Sequence, residues 1–131
     1  MLSTYSILLK ASGLSQREAA VLHDVRLDTI KKWCQATGNR APRALVQELA
    51  ALIVKQGNAA DEAVAACSDV ATVELGLASD DYDAQQLGWP TATAHAATIA
   101  TVAARLIADG LNVEIVPRGS TPATAAAAGQ H

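Results

Sequence analysis

The chain has 131 residues and is half apolar, but it has no phenylalanine and its only aromatic residues are Tyr5, Trp33, Tyr82 and Trp89. This length allows one ordinary domain or two small ones and excludes a large multilayered enzyme, while a core of alanine, leucine and valine buries little area per residue and points to an oligomer. The net charge of −3 conceals a split: residues 1–56 carry eight Lys/Arg against four acids, giving +4, and residues 57–131 carry two against nine, giving −7. A basic first half suits a polyanion, and an acidic second half, which a polyanion repels, suits holding protein together. Cys34 and Cys67 lie far apart and form no ligand pair, so neither a zinc site nor a disulfide framework is expected. With no secretory leader pattern and no long apolar run, the expectation is a cytoplasmic protein without a membrane partner.

In chain order, Tyr5 to Ala11 reads as a first helix with Ile7 and Leu8 facing inward and Gly13 as its left-handed cap. Ser15 with Glu18 three residues later is a capping box that opens a second helix through Ala19, Ala20 and Leu22. His23-Asp24-Val25-Arg26 forms the corner, and Leu27 to Trp33 a third helix in which Val25, Ile30 and Trp33 point inward while Arg26, Asp28, Lys31 and Lys32 stay in water. A polar loop with Gly38 leads to Pro42, which starts a helix to about Gln56 with Leu45, Val46, Leu49, Leu52 and Ile53 on one stripe. Residues 1–57 thus make a complete small helical domain.

Asn58 caps a separate acidic, alanine-rich helix, Ala59 to about Cys67. Val70 to Ala78 reads as a strand with Val73, Leu75 and Leu77 on one face; Ser79 to Leu87 is an acidic loop or short helical turn, broken by Gly88-Trp89-Pro90. Thr91 or Thr93 caps a long helix to Asp109 with Ile99, Val102, Ala103, Leu106 and Ile107 along one face and Gly110 at its end. Val113 to Val116, including Ile115, is a second strand that stops at Pro117. Strand, helix, strand requires a crossover, so the strands are parallel neighbours or belong to different sheets. A two-stranded sheet with one covering helix is marginal alone, and a second copy contributing its own strands is the simplest remedy. The dimer contact is therefore assigned to Val73, Leu75, Leu77, Ile99, Val102, Leu106, Val113 and Ile115. Residues 58–117 form this dimerisation region and 118–131, rich in Gly, Ser, Thr, Pro and Ala, a flexible tail. The fold class is mainly α with a small α/β part.

Gln16, Ala20, Val25, Ile30 and Trp33 fall at the spacing of the helix-turn-helix in Cro/repressor-type (XRE-like) DNA-binding domains, and the stretch Ser15 to Trp33 resembles that motif. Where the family usually places glycine in the corner this chain has Asp24, which tolerates the left-handed conformation better than most residues. The Ser or Thr common at the start of the family's recognition helix is Arg26 here. From Val73 to Pro117 the element order resembles the dimerisation region of the anti-CRISPR-associated autorepressors and related YdiL-type regulators. The resemblance implies a homodimeric repressor binding an inverted repeat of double-stranded DNA in a promoter, often its own.

In such a motif the second helix enters the major groove, where base edges are distinguishable. Arg26 is suited to guanine O6 and N7, Leu27 to a thymine methyl, Asp28 to cytosine N4 or to orienting Arg26, and Lys31 and Lys32 to guanine or phosphate. Gln16 resembles the family's phosphate or adenine contact, and Arg17, Arg40 and Arg43 flank the face as backbone contacts. Trp33 is the core plug. His23, His95 and His131 lack ligand-spaced partners, and Asp80, Asp81 and Asp83 lack the pattern of a calcium loop. Without a phosphate loop, nucleophile elbow or metal triad, no enzyme activity, metal or cofactor is expected. The alternative reading is an antitoxin or adaptor whose C-terminal half binds another protein; RNA is a further candidate partner.

Overall fold

A computed structural model describes residues 3–36, 40–67 and 71–118. Among these the chain is mainly helical with a small sheet: α1 (Thr4–Ser12), α2 (Gln16–His23), α3 (Leu27–Trp33), α4 (Arg43–Ala66), β1 (Thr72–Leu77), α5 (Asp81–Gln86), α6 (Ala92–Ala108) and β2 (Asn112–Pro117). The chain divides into two compact units, Met1–Gly57 and the remainder from Asn58. Gly38 of the polar loop, Val70 at the start of the expected first strand and the expected tail from Gly119 lie outside the described residues. No helix among the described residues is long and apolar enough to cross a membrane.

In the first unit, Ser3 caps α1 by accepting the Ser6 amide, and Gly13 closes it at φ 86°. The inward face is not the expected one: Ile7 is 53% exposed, whereas Tyr5, Leu9 and Ser12 are buried. Tyr5, Leu9 and Ser12 follow the i, i+4, i+7 row of a helix, and burying a tyrosine on that row removes more apolar surface than burying Ile7 on the opposite side. Ser12 tolerates burial because its hydroxyl donates to the Leu9 carbonyl at 2.7 Å and accepts the Leu14 amide at 3.2 Å. Leu49 of α4 is 1% exposed and joins this core. Gln56 is also buried, and its Nε2 donates to the Ser12 carbonyl at 2.8 Å.

The expected break at Gly57-Asn58 is absent, because α4 runs unbroken from Arg43 to Ala66. Glycine inside a helix costs only about 1 kcal/mol relative to alanine. Gln56 and Ala60, one turn apart on either side, are both buried, and an unbroken helix keeps both in place.

In the second unit β1 and β2 are parallel neighbours in the register Thr72↔Asn112 through Leu77↔Pro117. Ala60, Val73, Val102 and Leu106 form its core, with Ala63, Val64, Cys67, Leu75, Leu111 and Val113 packed against them. Thr91 caps α6, its hydroxyl accepting the Ala94 amide at 3.0 Å. The buried row of α6 is Ala94, Thr98, Val102 and Leu106 with His95 beside it, while Ile107, expected inward, is 57% exposed. Successive i+4 steps carry the row past Ile107, which sits about 100° further round the helix. Val73, Val102 and Leu106, assigned to the dimer contact, are buried within their own unit. Leu75, Leu77, Ile99 and Val113 are half-buried, and Ile115 is 48% exposed.

Candidate nucleic-acid interface

The α2–α3 corner is built from short-range rules. Ser15 accepts the Glu18 amide at 3.1 Å while the Glu18 carboxylate accepts the Ser15 amide at 2.8 Å, so both ends of the capping box are made. At the far end of α2 the Val25 amide reaches the Ala20 carbonyl at 2.9 Å and the Asp24 amide reaches the Val21 carbonyl at 3.2 Å. That pair of bonds is a Schellman motif, and Asp24 takes its left-handed position at φ 55°, ψ 50°. Among the described residues Asp24 is the only non-glycine with positive φ; Gly88 and Gly110 occupy the equivalent positions after α5 and α6. The corner therefore forms without the glycine common in the resembled family.

Arg26 is the N-cap of α3, in extended backbone geometry, and its side chain makes no capping hydrogen bond. Arg26, Asp28, Lys31 and Lys32 are exposed, Leu27 is half-buried, and Ile30 and Trp33 beneath them are 0% and 7% exposed. Arg17 is exposed and Gln16 half-buried at the start of α2, and Arg40 and Arg43 are exposed ahead of and at the start of α4. Among the described residues no salt bridge occupies any of these cations. Asp28 in the first turn of α3 and Lys31 and Lys32 in the last match the helix dipole.

The support beneath α3 is an aromatic cluster. Tyr5 meets Trp33 edge-on, with ring centroids 5.6 Å apart and planes at 74°, and His23 lies 6.1 Å from Tyr5 and 6.5 Å from Trp33. Edge-to-face pairs at this spacing add to the burial of the rings. The last turn of α3 is tied to the start of α1, since the Ser3 hydroxyl donates to the Trp33 carbonyl at 2.6 Å. Burial, with smaller contributions from Cys34 and Glu48, raises the Tyr5 pKa to about 12. The Tyr5 hydroxyl and both His23 ring nitrogens are buried without hydrogen-bond partners among the described residues, the nearest charge to His23 being Glu48 at 3.7 Å. Sequence reading placed His23 in the corner and missed its burial. The signal was its position four residues after Ala19, on the buried row of α2.

The second unit holds a cluster that the sequence did not reveal. His95 is buried, and its Nδ1 accepts the Ala78 amide at 3.1 Å, which fixes the neutral ring with its proton on Nε2. Burial lowers the His95 pKa; Asp83 raises it and Arg118 lowers it by less. Asp83 and Arg118 form an ion pair between α5 and the residue after β2, and Trp89 lies 6.5 Å from the imidazole. Among the described residues no group of three or more His, Cys, Asp or Glu is arranged to hold a metal ion. Comparisons with protein-family models, with curated proteins and with solved structures find no match to this chain.

Proposed function

We propose that this chain is a sequence-specific regulator of transcription that binds double-stranded DNA through a helix-turn-helix formed by α2 and α3. The observation that carries the reading is the exposed set Arg26, Asp28, Lys31 and Lys32, with Leu27 half-buried among them, held above a buried Ile30 and Trp33. A short cationic helix fixed rigidly to a compact unit is what entry into a major groove requires. The charge of the first half, +4 against −7 for the rest, supports the same assignment. Arg26 reads guanine, Leu27 meets a thymine methyl, Asp28 accepts from cytosine or orients Arg26, and Lys31 and Lys32 reach guanine or phosphate. Gln16, Arg17, Arg40 and Arg43 fix the register on the backbone.

The regulator acts as a homodimeric repressor on an inverted repeat, with half-sites roughly ten base pairs apart or a multiple of that. Selection from a pool of random duplexes, followed by footprinting upstream of the chain's own gene, tests the reading. The expected result is a palindromic consensus protected on successive major grooves; binding without any consensus, or no binding at moderate salt, would overturn it.

A further inference from the structure

We infer that His23 is a positioning residue for α3 whose charge sets how firmly that helix is held: neutral, it packs beside Trp33, and protonated, it is drawn toward Glu48, so that duplex binding weakens as the solution is acidified. The inference rests on the DNA-binding reading above and adds a control to that same surface.

His23 is the last residue of α2, and its side chain is 0% exposed. The ring lies tilted against Tyr5 at 6.1 Å and against Trp33 at 6.5 Å. Among the described residues neither ring nitrogen has a hydrogen-bond partner, and neither has the Tyr5 hydroxyl. A neutral imidazole leaves one donor and one acceptor unmatched there; an imidazolium brings two donors and a charge into the same enclosure, at greater cost. The acceptor at hand is Glu48, whose Oε1 stands 3.7 Å from Nδ1, too far for a hydrogen bond, and whose side chain is 52% exposed. A charge-assisted bond needs about 2.7–2.9 Å. Closing that gap draws the ring toward α4 and water and changes its contact with Trp33.

The groups around the ring set the sign. From α1 comes Tyr5, whose phenol burial pushes up to about 12, well above the range in which histidine changes charge. From α3 comes the uncharged Trp33, followed by Cys34, which acts on Tyr5. From α4 comes Glu48, and α2 adds the exposed Asp24 next in sequence and the carbonyls of its own last turn, which favour a cation. The carboxylates and the helix end attract the charge, while the two aromatic rings give Nε2 no acceptor where it now lies. A charged His23 is therefore accommodated by moving.

That movement reaches α3 by two routes. His23 adjoins Asp24, the left-handed residue of the corner between α2 and α3. Trp33 ends α3, and its carbonyl is held by the Ser3 hydroxyl at 2.6 Å while its ring rests on Tyr5 and His23. Lys31 and Lys32 share this last turn, so loosening Trp33 loosens the cations that face outward.

The experiment follows the affinity of the full chain for a selected duplex between about pH 7.5 and 5.5 at fixed ionic strength. The parent is expected to weaken about fivefold or more beyond the change seen in His23→Phe, which keeps a ring and cannot titrate. Both chains keep His95, so its titration cancels in the comparison. Glu48→Gln removes the attracting carboxylate and should move the parent's transition to lower pH. Trp33 emission in a Trp89→Phe background reads the same event without DNA and should change with pH only while His23 is present. His23→Leu replaces His23→Phe if the latter does not fold. An identical pH profile in a folded His23→Phe, or tighter binding by the parent in acid, would overturn the inference. The failures remain distinguishable: a chain that binds no duplex yet shows the His23-dependent change at Trp33 keeps the switch and removes the regulator reading. A duplex-binding chain with no His23-dependent change does the reverse.

Discussion

The two units solve the problem of a phenylalanine-free core in different ways. The first gathers Tyr5, His23 and Trp33 beneath α3 and closes with Leu49 and Ile30, so large rings supply buried area that alanine cannot. The second has a small core of Ala60, Val73, Val102 and Leu106, a two-stranded sheet and exposed isoleucines at 107 and 115. A core of that size under so short a sheet is where the proposed second copy would add buried area, whereas the first unit buries its rings within itself.

The largest expected effects break one unit and spare the chemistry of the other. Trp33→Ala should destabilise the first unit by about 3–5 kcal/mol and abolish duplex binding, read by thermal melting and by a DNA titration. Leu106→Ala should cost about 2–5 kcal/mol in the second unit, seen as a lower melting transition together with a weaker dimer.

Acid should act on the second unit through His95. Its folded pKa lies below the ordinary value of 6.5, so the unfolded chain binds the proton more readily. The stability it contributes is complete above that ordinary value and is lost as pH falls from there toward the folded pKa. Protonation also removes the acceptor for the Ala78 amide. Following Trp89 fluorescence in a Trp33→Phe background should show the second unit loosening over that window. His95→Gln should flatten the response.

Two smaller effects sharpen the contrast. Gly57 is exposed in mid-helix and a Cβ there meets nothing within 4 Å, so Gly57→Ala should stabilise α4 by about 0.5–1 kcal/mol in chemical denaturation. Tyr5→Phe discards an unpartnered buried hydroxyl while keeping the ring. It should leave stability unchanged or raise it by up to about 1 kcal/mol, whereas an equal loss would reveal a hydrogen bond at that oxygen.

Local signals were the legible part of this chain. The capping box at Ser15 and Glu18, the turn at Asp24, the left-handed glycines at 13 and 110 and the helix start at Thr91 all depend on a few adjacent residues, and each is found where its residues indicate. Choices decided by tertiary packing were hidden. Tyr5 displaced Ile7 from the inner face of α1, and α4 ran through Gly57 and Asn58 because Gln56 and Ala60 are buried on both sides. The exposed set on α3 was legible because the spacing of Ile30 and Trp33 fixes what must face outward. The bond from His95 to Ala78 and the ion pair from Asp83 to Arg118 join residues distant in sequence, and no spacing announces them.

The central claim is that the outer surface of α3 reads DNA, and mapping backbone amide shifts of the full chain on addition of a selected duplex tests it most directly. The largest changes are predicted at Arg26 to Lys32 with a second group at Gln16 and Arg17, and the Arg26→Ala chain should lose about 1–3 kcal/mol of preference for the selected sequence. Shifts confined to residues after Gly57, with Arg26 to Lys32 unmoved, would contradict the account.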